Sequence, residues 1–101
     1  MKSIYSIFFS NLSSNLRIDI ITALKEKRMC VMELSKILQV EQSKLSHALA
    51  SLKKCNIVHV KQKGKQRVYS LNKVTILPIL QLIDKHAKFH CGGKCGNCKN
   101  C

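Results

Sequence analysis

Four of the six cysteines crowd the last eleven residues, as Cys91-x3-Cys95-x2-Cys98-x2-Cys101, directly after His86 and His90. Thiolates two residues apart can grip one tetrahedral ion, and four complete a sulfur-only shell suited to zinc or another thiophilic metal. The run Cys95-x2-Cys98-x2-Cys101 also has the three-ligand spacing of ferredoxin-type iron–sulfur clusters, with Cys91 or Cys55 to supply a fourth ligand. A thiol–disulfide switch is the third chemistry open to this cluster, and Lys94 and Lys99 favour its thiolate forms. The candidate metal ligands are therefore Cys91, Cys95, Cys98 and Cys101, with Cys30, Cys55, His86 and His90 as further donors. Such regular spacing argues against incidental thiols on a structureless tail.

A second chemistry, the recognition of phosphates and base edges, is written in Gln42 to Lys54, QSKLSHALASLKK. Helical spacing puts Leu45, Ala48, Leu49 and Leu52 on one side and Ser43, Lys44, His47, Ala50, Ser51 and Lys54 on the other. The outer face is small, polar and basic, and it can approach a phosphate backbone while offering hydroxyl, imidazole and ammonium groups to bases. The bland alternative for this stretch alone is an ordinary amphipathic surface helix.

The formal net charge over 101 residues is +13, and the five acidic residues are Asp19, Glu26, Glu33, Glu41 and Asp84. The run from Gln42 to Ile83 therefore has no carboxylate, while it carries Lys44, Lys53, Lys54, Lys61, Lys63, Lys65, Arg67 and Lys73. Basic charge concentrated in this way is the footprint of nucleic-acid binding, with an anionic membrane surface as the competing partner. No carboxylate pair, nucleophile–base arrangement or phosphate-cradling glycine loop appears, so no enzymatic activity is expected. No apolar stretch approaches the roughly 20 residues that cross a bilayer. The N-terminal apolar patch is broken by serines and lacks a cleavage site, so it is not read as a signal peptide. A cytoplasmic location is expected, where crowded cysteines serve metal or redox chemistry rather than a disulfide framework.

The elements that must hold these residues follow from the hydrophobic period. Ile4, Tyr5, Ile7, Phe8, Phe9 and Leu12 make a first helix apolar around much of its circumference, which predicts packing against a second subunit. Ser13 or Ser14 can cap a second helix carrying Leu16, Ile20, Ile21 and Leu24. A third, from about Val31 to Leu38, leads through Gln39 and Val40 into the Gln42–Lys54 helix, with Glu41 at its cap. Asn56 suits the left-handed closure of that helix. Ile57, Val58 and Val60, then Lys61-Gln62-Lys63-Gly64-Lys65-Gln66-Arg67, then Val68, Tyr69 and Leu71 read as a β-hairpin turning near Gly64. A last helix runs to about His90, capped at Asn72 or Thr75; Pro78 fits its first turn only from Thr75.

Helix, helix, helix-turn-helix, basic hairpin, helix is the winged helix-turn-helix order. The wording resembles the ArsR/SmtB family of small dimeric metal-sensing repressors over about residues 5 to 88. Cys30-Val31-Met32-Glu33-Leu34 resembles the family's cysteine-valine-cysteine-x-leucine, Gln42-Ser43-Lys44-Leu45-Ser46-His47-Ala48-Leu49 its recognition helix, and Tyr69-Ser70-Leu71 the end of its wing. The resemblance implies a mainly α fold with a small β-hairpin, dimerising through the first and last helices. Each recognition helix would enter a major groove, with half-sites about one helical turn apart. The implied groove contacts are Gln42, Ser43, Lys44, Ser46, His47 and Ser51; the implied phosphate contacts are Lys53, Lys54, Lys61, Lys63, Lys65 and Arg67.

The chain departs from the family where ions are sensed. Met32 replaces the second cysteine before the turn helix, leaving Cys30 with a weak thioether neighbour, or as a small buried residue. Lys73 and Thr75 stand where the zinc-sensing members carry an Asp-x-His pair, and Phe89 stands where a later ligand belongs, with His86 matching another. The expectation is a winged-helix domain over residues 1–90 and a cysteine-rich tail over 91–101. Together they would make a homodimeric, sequence-specific DNA-binding repressor whose operator affinity is modulated at the tail by metal or redox state. The alternative is a metal-buffering or metal-delivery protein whose basic domain binds DNA without sequence preference.

Overall fold

Ser3 and Ser14 set the first two helices in the same way, each with extended backbone and a hydroxyl that accepts the N–H three residues on. The structure, a computed structural model, describes residues 3–90. Helix α1 spans Ile4–Asn11 and α2 spans Asn15–Glu26, burying Ile20, Ile21 and Leu24 at helical spacing. A short strand β1 (Met29–Cys30) leads directly into α3 (Val31–Leu38), and the backbone N–H of Cys30 donates to Glu33 Oε1 at 3.2 Å across the helix start. Gln39 turns left-handed at φ 56° and ends α3. The chain then enters α4 (Gln42–Lys54), whose closure is marked by Asn56 at φ 56°.

The hairpin pairs β2 (Val58–Lys63) with β3 (Gln66–Leu71) from Val58↔Leu71 to Lys63↔Gln66. Gly64, at φ 61°, takes the first central position of a two-residue turn, a place where a positive φ matches the twist of the strands. Asn72 Oδ1 then accepts the Val74 N–H at 3.2 Å, and α5 spans Ile76–His90 with Pro78 in its first turn. Of the two starts open to this helix, the one near Thr75 is realised, because only there does the proline replace an N–H with no intrahelical partner.

The expected β-hairpin is present, and the described residues add one strand to it. The sheet has three strands in the order β1-β3-β2, because Met29 pairs with Tyr69 and Cys30 with Val68. Two residues are too few to show a period-2 pattern.

Ile20, Leu24, Leu34, Leu45, Leu49, Leu52, Ile57 and Val58 are fully buried and knit α2, α3, α4 and the sheet into one core. At roughly 1.5–3 kcal/mol for each large apolar side chain, this cluster fixes the angle of α4. Helices α1 and α5 leave Ile4, Tyr5, Phe9, Leu82, Ile83 and Phe89 exposed. No described helix is long and apolar enough to cross a membrane.

Candidate nucleic-acid interface

Helix α4 is amphipathic in the sense its sequence predicts. Leu45, Ala48, Leu49 and Leu52 are buried, while Gln42, Ser43, Lys44, Ser46, His47, Ala50, Lys53 and Lys54 are exposed. Glu41 holds the cap position without a side-chain capping bond. Ser51 differs from its expected place on the outer face. It is half-buried, and its hydroxyl donates to Asn11 Oδ1 at 2.8 Å.

Two depressions flank the helix. One, of about 350 Å³, lies toward the start of α2, where Ser14 and Arg17 face Ser43, Lys44 and His47. The other, of about 510 Å³, lies toward the sheet, where Arg67 and Tyr69 face Ser46, Ala50, Lys53 and Lys54. Lys65 sits beside Gly64 at the hairpin tip. Among the described residues, the ion pairs are Lys25 with Asp84 at 3.4 Å and Lys27 with Glu33 at 3.9 Å, so no cation of α4 or the hairpin has a carboxylate partner. A surface of unpaired cations and hydroxyls around a protruding helix can bind a polyanion by releasing its counterions.

Strand parity divides the cations of the wing. Arg67 shares the α4-facing side of β3 with Tyr69 and Leu71, whereas Lys61, paired with Val68, and Lys63 lie on the outer side. There they meet Arg28 and Ser70 around a concavity of about 90 Å³. Lys61 and Lys63 are therefore not brought together with the groove residues.

Asn11 is a residue that sequence reasoning misses, yet it is the buried polar residue that ties the helices together. Its Nδ2 donates to Cys55 Sγ at 2.8 Å and to the Ile7 carbonyl at 3.4 Å. Its Oδ1 accepts from Arg17 Nη1 at 3.1 Å and from Ser51. The signal available in the sequence is an amide side chain four residues after Ile7 and three after Phe8, on the helical spacing of the apolar residues of α1.

The donors suggested for metal are scattered. Cys30 is buried at the start of α3 while Met32 is exposed, Cys55 is half-buried against Asn11, and His86 lies on α5 beside Leu82, Lys85 and Phe89. Among the described residues no three His, Cys, Asp or Glu side chains of one chain come together to hold an ion, so the helix positions of a single chain do not by themselves supply a metal centre. Cys91, Cys95, Cys98 and Cys101 lie outside the described residues, as does the side chain of His90.

Residues 14–60 match the model of the bacterial regulatory protein family arsR. The chain is 28% identical over 79 residues to the transcriptional repressor SmtB homolog of Synechocystis sp., covering 78% of this chain and 60% of that protein, so it spans less than two thirds of this relative. Among solved structures, Rv0081 of M. tuberculosis superposes with a TM-score of 0.75 at 28% identity over 84% of this chain and 89% of that one. The homodimeric winged helix-turn-helix DNA-binding domain Mb0332 of Mycobacterium bovis gives 0.70 at 15% identity over 85% of this chain and 84% of that one, a likeness of fold.

Proposed function

We propose that the chain is an ArsR/SmtB-type winged helix-turn-helix regulator that binds operator DNA as a homodimer and represses transcription, a reading supported by its similarity to that family. In this reading α4 enters the major groove, and Gln42, Ser43, Lys44, Ser46 and His47 meet bases or the nearest phosphates. Lys53, Lys54 and Arg67 hold the backbone on the wing side, and Lys65 reaches it from the hairpin tip. The observation that carries the reading is the exposed, carboxylate-free face of α4 set between two cation-lined depressions. Dimerisation through α1 and α5 is supported by their exposed aromatic and aliphatic side chains, with Tyr5 77%, Phe9 62% and Phe89 68% exposed.

The finer part of the proposal is modulation at Cys91, Cys95, Cys98 and Cys101 by zinc, another thiophilic metal, an iron–sulfur cluster or thiol oxidation. Its support is the spacing of the four cysteines directly after α5. A ligand there changes operator affinity only if it binds the free and DNA-bound dimers differently.

The test begins with selection of bound duplexes from a random pool, followed by affinity against salt. The expected result is an enriched motif with half-sites about one helical turn apart, and a steep salt slope that Lys54→Ala/Arg67→Ala flattens by about 4, two contacts being lost in each of two subunits. Failure to enrich any sequence, together with retained metal binding, would favour the metal-buffering alternative. Elemental analysis with an absorption spectrum of anaerobic protein identifies the ligand. A metal titration that leaves operator affinity unchanged removes the modulation while leaving DNA binding intact.

A further inference from the structure

We propose that the outer face of the wing is a second duplex-DNA site, separate from the surface that reads the operator, so that the bound protein holds two DNA segments. The inference rests on the DNA-binding reading above and starts from strand parity. Lys61 and Lys63 alternate with Val60 and Gln62 along β2, and the pairing of Lys61 with Val68 and His59 with Ser70 sets Lys61, Lys63, His59, Val68 and Ser70 on the side away from α4. Arg28, between α2 and β1, joins Lys61 and Lys63 around the 90 Å³ concavity. A second depression of about 470 Å³ shares Arg28 and Ser70 with it and adds Lys27 and Lys73. Of these five cations only Lys27 has a carboxylate neighbour among the described residues, Glu33 at the long distance of 3.9 Å.

A duplex seated against α4 does not explain this patch. The outer side chains stand on the face of the sheet opposite Arg67 and Tyr69, which line the depression beside α4, so they are directed away from a duplex seated there. Cations gathered on one face repel each other in the free protein, and the repulsion is relieved by an anionic partner. Spread over two adjoining depressions, they suit an extended polyanion better than a single small ion. The hydrophobic lining is confined to the buried Leu24 and Leu71 and the half-buried Val68, which gives a membrane nothing to insert. Once one segment of a long DNA is held by α4, other segments of the same molecule are present at high effective concentration, and they are the polyanion nearest to hand.

The experiment uses the full chain. A biotinylated duplex of about 24 base pairs carrying the selected operator is immobilised, just long enough for two half-sites about one helical turn apart. Protein is bound, and a fluorescent duplex of unrelated sequence is added at low salt. The expected result is capture of the second duplex by the wild type. Lys61→Ala/Lys63→Ala should lose about tenfold or more of that capture, while operator affinity changes by less than about threefold. Lys36→Ala/Lys88→Ala removes the same charge elsewhere and should keep the capture. Equal loss in both variants would reduce the effect to net charge and overturn the proposal. So would an immobilised operator complex that captures no second duplex, or capture that appears only when the operator duplex is lengthened, which would assign the patch to flanking DNA. A protein that fails to bind the operator duplex at all would overturn the reading itself, an outcome separable from the other three.

Discussion

Replacing Asn11 with Ala should loosen the join between α1 and α4 more than its size suggests. The side chain is 6% exposed and makes three bonds to other segments: to Cys55 Sγ, from Arg17 Nη1 and from Ser51 Oγ. Arg17 and Ser51 are half-buried, so water can partly replace the lost partner. Each bond then counts at its net value of about 0.5–1.5 kcal/mol instead of the full cost of a buried orphan, and the three sum to about 2–4 kcal/mol. In a domain of this size that is a fall in Tm on the order of 10–20 °C. Thermal unfolding should be followed at one fixed protein concentration, because the Tm of the proposed dimer would depend on it. Ser51→Ala and the double variant complete a cycle, in which the coupling between the two positions should be about 0.5–1.5 kcal/mol. An Asn11→Ala protein melting within about 2 °C of the wild type, or strictly additive changes in the cycle, would refute the claim that this one side chain ties the helices.

Glu33 makes stability depend on acid. The Cys30 N–H and then the Cys30 thiol hold its carboxyl below its ordinary value against the opposing effect of desolvation, and the charge of Lys27 adds a smaller lowering. The folded state therefore binds this proton less readily than the unfolded state, and the stabilisation is present above the unfolded value and lost as pH falls through the folded one. Urea midpoints measured from neutral pH downward should fall less steeply for Glu33→Gln than for the wild type; parallel curves would contradict the assignment. Gly64 has a φ of 61° and open space for 4 Å around the place a β-carbon would take. It should tolerate Asn but lose about 1 kcal/mol to Val, read from the urea midpoint, because the cost is backbone strain and not a clash. Phe9→Glu/Leu82→Glu should turn a sedimenting dimer into a monomer and abolish tight operator binding, while circular dichroism stays that of a folded helical protein; a dimer that survives would move the interface off α1 and α5.

The helices were legible wherever one face had to be buried. Leu45, Ala48, Leu49 and Leu52 mark α4 without help from any other segment, and Asn56 marks its end because few residues accept a left-handed φ. Gly64 located the wing for the same reason. What the sequence concealed were relations between segments. The pairing of β1 with β3 joins Met29 to Tyr69 across a long stretch of chain, and no local pattern announces it. Lys61, Lys63 and Arg67 look like one basic cluster when written in a line, but a two-residue turn sets their parity and sends Arg67 to one side of the sheet and the two lysines to the other. Ser51 looked like a groove contact because its spacing on α4 is right. Its hydroxyl is instead taken by Asn11, a partner from a helix whose packing the periodicity of α4 could not reveal.

That tie bears on how any modulation must reach the DNA. Arg17 and Ser51 both donate to the same oxygen of Asn11, while Cys55, at the end of α4, accepts from its nitrogen. The core that fills the space between α2, α3, α4 and the sheet holds α4 a second time. In the proposed dimer, where α1 would lie at the dimer face and α4 at the reading face, the two are joined both ways, so α4 could not tilt alone without breaking a packed core, whose contacts are bistable at best and not continuously deformable. The softer degree of freedom in that dimer would be the docking of one α1–α5 surface on its copy. A ligand acting beyond α5 would therefore change operator affinity by altering the distance between two reading heads, so its effect should depend on the spacing of the half-sites and vanish on a single one.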